Sequence, residues 1–258
     1  MTSAPHPPND AERDRRRLLL AFNLSFGFVA LLLVVFALQP RLPVDAMAVS
    51  PGDAASLLGM LTAPLLHGSV AHLAANATAL LILGTLAGSV YPRATLRALP
   101  LLWLGSGLGA WVLGEAGSRH LGASGVTHGL MFMVTTLGLL RRDRPSIAAG
   151  MVALLFYGGS VLTVLPHGDG ISWQSHLGGA LAGVLAGVLF RRLDPLPPRK
   201  RYSWELEEEA AQRRDDERDG LEPPSPGTVP VLWHRDDGDP GQGKVLPFVQ
   251  RPPRDRRD

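Results

Sequence analysis

The sequence contains no cysteine among its 258 residues. Disulfide bonds, thiolate metal sites and a thiol nucleophile are therefore excluded. Charged residues are also scarce over long stretches: they crowd the two ends and a few short loops, and the segments between them carry almost none. These segments are roughly 20 residues long, which is enough to cross a hydrocarbon layer of roughly 30 Å. The pattern predicts a polytopic membrane protein.

The overall charge is nearly balanced, at a net +2. The arginines lie beside the apolar segments, as they do in the inner loops of membrane proteins, and no nucleic-acid-binding motif is present. We therefore expect a lipid bilayer as the surroundings and no nucleic acid as a partner. No apolar segment contains an aspartate, which argues against an intramembrane aspartyl protease.

Six segments have the length and composition of membrane-spanning helices. They are Leu18–Leu38, Leu65–Val90, Leu96–Leu113, Gly122–Leu140, Ile147–Leu165 and Ile171–Phe190. The arginine-rich loops alternate along the chain and so fall on one side, which the positive-inside rule identifies as the cytoplasm. The sequence thus predicts an all-α membrane protein, a six-transmembrane-helix bundle with both termini cytoplasmic.

This pattern divides the chain into three regions. Residues 1–17 are predicted to be a cytoplasmic N-terminal segment, and residues 18–190 the membrane domain. The first apolar run is too long for a signal-peptide core and lacks a small-residue cleavage site, so we expect a retained span. Residues 191–258 bury too little apolar surface to offset the entropy of ordering, which predicts a disordered cytoplasmic tail. Within it, a serine cap followed by Glu and Arg at helical spacing predicts a short solvated helix over Ser203–Arg218.

Polar side chains inside a membrane are costly and usually functional. The second, fourth and sixth segments carry them near their outer ends: His72 with Asn76, then Ser124, then His176. The three segments run in the same direction, and a rise of about 1.5 Å per residue places these side chains within roughly 10 Å of the outer boundary. They can therefore meet. Asn76 lies one turn from His72 on the same helix face.

Small residues form stripes on two of these segments. The stripes are Gly125 and Gly129 on the fourth segment, and Gly179, Gly183 and Gly187 on the sixth. Such stripes let helix backbones approach closely and are typical of ordinary helix packing. The same close packing would bring a serine hydroxyl within reach of an imidazole.

The pairing of serine with histidine indicates a nucleophile and its base. A serine hydroxyl is a weak nucleophile until a base removes its proton, and a neutral histidine, with a pKa of about 6.5, suits that role. Attack on a carbonyl would place negative charge on its oxygen, which preorganised donors stabilise. The candidate donors are His72, Asn76 and the backbone N–H of Ser124.

The order of these residues resembles the signature of the rhomboid family of intramembrane serine proteases. The matching strings are His67-Gly-Ser-Val-Ala-His72-Leu-Ala-Ala-Asn76, Gly122-Ala-Ser124-Gly125 and His176-Leu-Gly-Gly179-Ala-Leu-Ala-Gly183. Each lies at the start of the corresponding span, and the topological resemblance covers about residues 18–190. A Gly-x-Ser-Gly string alone would be a weak signal, but the three strings in this order are specific.

The resemblance implies a role for each of these residues. Ser124 would be the nucleophile and His176 the general base and acid, in a dyad without a third, acidic residue. His72 and Asn76 would stabilise the oxyanion, and His67 would be structural. Members of the family cut membrane-anchored protein substrates near helix-breaking, small-residue sites at the outer face, with no metal and no cofactor. We therefore expect an intramembrane serine endopeptidase in a bacterial inner membrane.

Two features depart from the family pattern. Many members carry a Trp-Arg pair in the first loop, where this chain has Leu58 and Gly59, so the anchoring of that loop stays open. The apolar residues Leu57–Leu61 of the loop could lie in the membrane interface or pack against the bundle. His128 follows the serine by one turn, where an aromatic residue commonly supports the base. Its ring could stack there, and it could also titrate.

Other functions fit the sequence less well. A metal site is the rival chemistry, with the ligands His67, His72, His128 and His176, but the pattern lacks a carboxylate ligand and the His-Glu-x-x-His arrangement of zinc proteases. The alternative function is a non-catalytic rhomboid-like protein that binds or escorts membrane clients, which loss of the serine or the base would mark. A transporter would show broken helices or intramembrane acid–base pairs, and neither is evident in the sequence. His120 and His167, in outer loops, are interpreted as structural residues.

Overall fold

The computed structural model describes residues 10–166, 170–195 and 203–219. Residues 1–9, His167 and residues 220–258, for which the sequence makes predictions, lie outside that part. The described chain is helical, and its only β-bridge is an isolated antiparallel pair between Val49 and His120.

The chain divides into two units, and the first contains six long helices. They are α1 Asp10–Leu38, α2 Val70–Val90, α3 Pro92–Leu113, α4 Ser124–Arg141, α5 Arg144–Tyr157 and α6 Trp173–Phe190. A 3-10 segment, Gly158–Val164, continues α5, and one turn of π-helix, Leu80–Gly84, lies within α2. When the 3-10 continuation is counted with α5, all six agree with the segments predicted from the sequence to within a few residues, except at the starts of α1, α2 and α3.

The start of α2 differs from the prediction for a local reason. The predicted span begins at Leu65, but Ala63–Leu65 forms a 3-10 turn and Leu66 is extended. The hydroxyl of Ser69 then accepts a hydrogen bond from the backbone N–H of His72 at 3.1 Å. A serine in this position satisfies one of the free N–H groups at a helix start. The helix therefore begins at Val70.

Five helices of the described chain are long and apolar enough to cross a membrane: α1, α2, α3, α5 with its 3-10 continuation, and α6. Helix α4 is not among them, although it is 18 residues long, and it carries Ser124, Thr127 and His128. Most of its residues are buried against the neighbouring helices. Its polar groups are therefore held by protein, where they can find hydrogen-bond partners.

Helix α6 packs against α3 on one side and α4 on the other through glycines. A Cβ added to Gly178 would lie 2.8 Å from Cα of Gly109 on α3. A Cβ added to Gly179 would collide with the backbone carbonyl of Gly125 on α4, and one on Gly183 would lie 3.0 Å from the carbonyl carbon of Gly129. Side chains at these positions would separate the helices, so the stripes read from the sequence lie at this interface.

Two tryptophans of α3 anchor the loop between α1 and α2. The indole N–H of Trp103 donates to the carbonyl of Leu61 at 3.2 Å, and that of Trp111 donates to the carbonyl of Asp53 at 3.0 Å. Gly59 lies against the carbonyl of Ala48, where a Cβ would clash. These contacts hold the loop on both sides of Leu58 and Gly59. Within it, Met60 is buried in a small apolar cluster, whereas Leu58 is 75% exposed.

The opposite end of the bundle is tied together by the segment that follows α6. The carboxylate of Asp194 accepts hydrogen bonds from the backbone N–H groups of Arg93 and Ala94 at the start of α3. Arg141, at the end of α4, donates to the carbonyls of Leu193 and Asp194 and lies over the ring of Tyr91. These bonds join the start of α3 to the ends of α4 and α6.

The second unit contains the helix α7, Ser203–Asp219. It falls on the stretch for which the sequence predicts a short helix. Its residues are mostly charged, and Arg213 lies 3.8 Å from Glu209 one turn away. An exposed pair of this kind contributes little to stability.

Candidate functional site

A cavity of about 660 Å³ opens between the ends of α2, α4, α5 and α6. Its lining includes the polar side chains of His72, Asn76, Ser124, His128, Thr163 and His176. Four of them are predicted from the sequence to act in one site, and His128 to support it. The tertiary structure therefore brings together residues from all three signature strings.

Ser124 and His176, which both line this cavity, form a hydrogen bond with each other. The hydroxyl oxygen of Ser124 lies 2.9 Å from Nε2 of His176. Ser124 is the first residue of α4 and is partly exposed to the cavity, whereas His176 is buried in the first turn of α6. The contact depends on the approach of α4 to α6 at Gly125 and Gly179, one residue after Ser124 and three after His176.

The other ring nitrogen of His176 faces Thr163, in the 3-10 segment that continues α5. Nδ1 lies 3.1 Å from the carbonyl oxygen and 3.0 Å from the hydroxyl of Thr163. A carbonyl can only accept a hydrogen bond, so Nδ1 carries the proton in this arrangement. Nε2 then keeps its lone pair, which can accept the hydroxyl proton of Ser124.

The imidazole of His128 stacks on that of His176, with ring centroids 4.0 Å apart and planes inclined by 12°. Its Nδ1 lies 2.7 Å from the carbonyl of Ser124, and its Nε2 lies 3.1 Å from the hydroxyl of Thr163. His128 therefore packs face to face on His176 and also contacts the segments that carry Ser124 and Thr163.

His72 and Asn76 line the cavity from α2. The amide nitrogen of Asn76 donates to the carbonyl of His72 at 2.9 Å, which orients an otherwise buried side chain. Gly122 has a positive φ of 116°, and a Cβ at that position would lie 2.5 Å from the ring of His72. Glycine is the residue that tolerates both that conformation and that contact.

Comparison with known proteins agrees with these features. The Rhomboid domain model matches residues 54–193. The chain belongs to the rhomboid family. As a rhomboid whose helices include several long apolar ones, it is a multi-pass membrane protein.

Relatives of this rhomboid occur in mycobacteria. Uncharacterized proteins of Mycobacterium bovis and Mycobacterium tuberculosis are each 36% identical to it over 200 residues, which cover 73% of this chain and 82% of theirs. An uncharacterized protein of Mycobacterium leprae is 36% identical over 141 residues, or 52% of this chain and 56% of the relative.

His67, the first residue of the signature, lies behind the cavity wall of this rhomboid. Its backbone N–H and carbonyl both bond to the side-chain amide of Gln39, at 3.0 and 2.9 Å, and its ring contacts that of His72 edge-on. Burial, and then the nearby His72, lower the pKa of His67 to about 4. His67 is thus held neutral in the loop that leads into α2.

Sequence reasoning missed Thr163 and its neighbour Ser160. The hydroxyl of Thr163 donates to the carbonyl of Ser160 at 2.7 Å, and the same carbonyl lies 3.2 Å from Nε2 of His128. A signal was present, because these are two polar residues three apart in an otherwise apolar segment. Across residues 10–166, 170–195 and 203–219, no three histidine, aspartate or glutamate side chains are grouped as metal ligands.

Proposed function

We propose that this rhomboid is an intramembrane serine endopeptidase that cleaves membrane-anchored protein substrates through a Ser124–His176 dyad. The observation that carries the proposal is the 2.9 Å contact between the hydroxyl of Ser124 and Nε2 of His176. A hydroxyl and a base at that distance have the geometry of an activated nucleophile.

The proposed reaction proceeds in two stages. The hydroxyl oxygen of Ser124 attacks the carbonyl carbon of the scissile peptide while Nε2 of His176 takes the hydroxyl proton. His176 then gives that proton to the leaving amine as the C–N bond breaks, which leaves an acyl ester on Ser124. Water, deprotonated by the same nitrogen, hydrolyses the ester and restores the serine. The carbonyl of Thr163 orients the imidazole throughout.

The oxyanion of each tetrahedral intermediate needs donors that are already in place. Ser124 is the first residue of α4, so its N–H has no carbonyl one turn earlier within the helix and is free for this role. We assign the other donors to the amide of Asn76 and the ring of His72, which line the same cavity. Positive charge at the start of α4, from its dipole, favours the same anion.

The bilayer defines the substrates in this proposal. Six spans, α1 to α6, would place both termini in the cytoplasm and the cavity near the outer face of a bacterial inner membrane. Residues 18–190 would be the catalytic membrane domain, with residues 1–17 and the tail 191–258 in the cytoplasm. A substrate would be a membrane-anchored protein whose helix unwinds at small or helix-breaking residues, because an intact helix hides its carbonyls in internal hydrogen bonds. No cofactor takes part in these steps.

The decisive experiment is labelling with a fluorophosphonate probe, which reacts with activated serines. In detergent-solubilised protein the probe should label Ser124, and a model transmembrane substrate should be cleaved. Ser124→Ala should abolish both signals. Ser89→Ala, which removes a hydroxyl bonded to a helix carbonyl at the opposite end of α2, is the matched control and should keep both. Binding of substrate without labelling or cleavage would favour the alternative, a non-catalytic escort of membrane clients.

The proposed topology has its own test. Reporter fusions after Arg144 and after Arg191 should both report the cytoplasm, because both positions lie in arginine-rich segments. A periplasmic signal at either position would exclude the six-span arrangement with cytoplasmic termini.

A further inference from the structure

His120 lies in the loop between α3 and α4, where the sequence favours a purely structural role. His120 is buried, with only 7% of its surface exposed. Both of its ring nitrogens contact hydroxyls. Nδ1 lies 2.6 Å from the hydroxyl of Ser172, and Nε2 lies 2.9 Å from that of Ser118. Burial lowers the pKa of His120. The Nε2 bond stays within the loop, whereas the Nδ1 bond joins the loop to the residue before α6.

The bond from His120 to Ser172 connects the loop with the helix turn that carries His176. Ser172 is the N-cap of α6, and its hydroxyl oxygen accepts from the backbone N–H of Ser175 at 3.4 Å and bonds to the Ser175 hydroxyl at 2.9 Å. The backbone N–H of His176 donates to the carbonyl of Ser172 at 3.2 Å. The orientation of Ser172 therefore sets the first turn of the helix that carries His176.

The backbone of His120 is itself fixed in place, a few residues before Ser124. The backbone of His120 pairs with that of Val49 through two hydrogen bonds, of 2.9 and 3.0 Å, which fix the loop four residues before Ser124. Two residues after His120, the N–H of Gly122 donates to the carbonyl of Ala63 at 2.8 Å. His120 thus has a fixed backbone on the Ser124 side and a side-chain bond to the cap of α6.

We infer that His120 is a positioning residue that aligns His176 with Ser124 by bonding, through its Nδ1, to the N-cap serine of α6. The inference rests on the proposed function, since alignment matters for the attack of Ser124. It adds a residue outside the three signature strings. Small displacements of catalytic groups reduce turnover strongly without changing how substrate is bound.

Two conservative variants separate the two bonds of His120. The amide of asparagine can occupy the place of Nδ1, and that of glutamine the place of Nε2. His120→Asn should therefore keep the bond to Ser172 and lose the one to Ser118, and His120→Gln should do the reverse. We expect kcat to fall by about ten- to 100-fold in His120→Gln with KM unchanged, and to stay near wild type in His120→Asn.

Single-serine variants extend the test. Ser172→Ala should reproduce the loss of kcat in His120→Gln, and the double variant should be no worse than either single one, because the two residues act as a unit. Ser118→Ala should reduce kcat less than Ser172→Ala. Equal losses in His120→Asn and His120→Gln, or additive losses in the double variant, would overturn the inference.

A readout that needs no proteolysis accompanies these assays. Hydrogen exchange of the amides of Ser175 and His176 should become about fivefold faster in His120→Gln and Ser172→Ala, the factor expected when a helix cap is lost. It should be unchanged in His120→Asn. If the wild-type protein cleaves no substrate and takes no probe, the proposed function fails, while unchanged exchange in every variant would refute the link from His120 to α6 independently of activity.

Discussion

Nδ1 of His176 lies 3.1 Å from the backbone carbonyl of Thr163, while Nε2 of the same ring faces the hydroxyl of Ser124. A peptide carbonyl thus holds the position that a carboxylate holds in a serine protease triad. In the proposed mechanism the carbonyl, being uncharged, would orient the ring without pairing its charge in the transition state. The hydroxyl of Thr163 lies close to the same nitrogen. A variant that removes only this hydroxyl separates its contribution from that of the carbonyl.

Thr163→Val removes the hydroxyl and retains the carbonyl. We expect kcat to fall by no more than about tenfold, which corresponds to the loss of one neutral hydrogen bond. The measurement is the rate of cleavage of a model transmembrane substrate in detergent. Thr78→Val, on an exposed face of α2, removes a hydroxyl that also bonds to a helix carbonyl and should leave kcat unchanged. A loss of 10³ or more in Thr163→Val, an order-of-magnitude threshold, would assign the orientation of His176 to the hydroxyl.

Ser124→Ala and His176→Ala should each abolish most cleavage. The expected fall in kcat is on the order of 10⁴ to 10⁶, and the double variant should be little worse than either single variant because the pair acts as a unit. Single-turnover assays at high enzyme concentration can measure these residual rates. Additive effects, or undiminished cleavage by the purified Ser124→Ala protein, would show that the nucleophile has been assigned wrongly.

Asn76→Ala and His72→Ala test the proposed oxyanion donors. Loss of one such donor reduces turnover by about 10² to 10³ while substrate binding changes little. Both variants should fold, as judged by thermal unfolding in detergent, and show this reduction in kcat. Thr78→Ala, a polar-to-apolar change on the same helix, is the control. Wild-type turnover in Asn76→Ala and His72→Ala would remove both residues from the site.

Gly179→Ala tests the close approach of α4 and α6. The added Cβ would collide with the carbonyl of Gly125, and overpacking of this kind costs about 1–3 kcal/mol. We expect a lower free energy of unfolding and a lower kcat, because the shift also moves His176 away from Ser124. Gly27→Ala is the matched control on α1, where a Cβ meets nothing within 4 Å. Equal stability of the two variants would contradict this account of the interface.

His67 predicts a loss of stability in acid. Its pKa is about 4 in the folded protein, below the 6.5 of a free histidine. Above pH 6.5 the residue is neutral in both states and contributes no pH dependence. Between pH 6.5 and 4 the unfolded chain binds a proton that the folded protein does not, so stability falls by about 1.4 kcal/mol per pH unit, and by about 3 kcal/mol in total.

His67→Phe should reduce that slope by about one proton, measured as the unfolding free energy in detergent between pH 7 and 4. Gln39→Ala is the control: it removes the two hydrogen bonds to the backbone of His67 and should lower stability about equally at every pH. An unchanged slope in His67→Phe would mean that other groups account for the acid sensitivity.

Local sequence features were sufficient for most of the helix bounds. Apolar runs of the right length predicted helices at α1 to α6, because long runs with few charged residues are typical of the helices of membrane proteins. Among the helix ends that border the cavity, the start of α2 was the exception. It depends on a 3-10 turn at Ala63–Leu65 and on the Ser69 cap. The signature strings also brought Ser124, His176, His72 and Asn76 together as candidates, because polar residues within spans are few.

The sequence by itself determined which segments are helical and which polar residues they carry, because both follow from local composition and spacing. Only the tertiary structure decided which groups meet. The bond of His176 to Thr163, the anchoring of the first loop by Trp103 and Trp111, and the contact of His120 with Ser172 each join segments that are apart in the chain. Their partners depend on how α3, α4 and α6 pack at their glycines, and no local pattern specifies which faces of two helices come into contact.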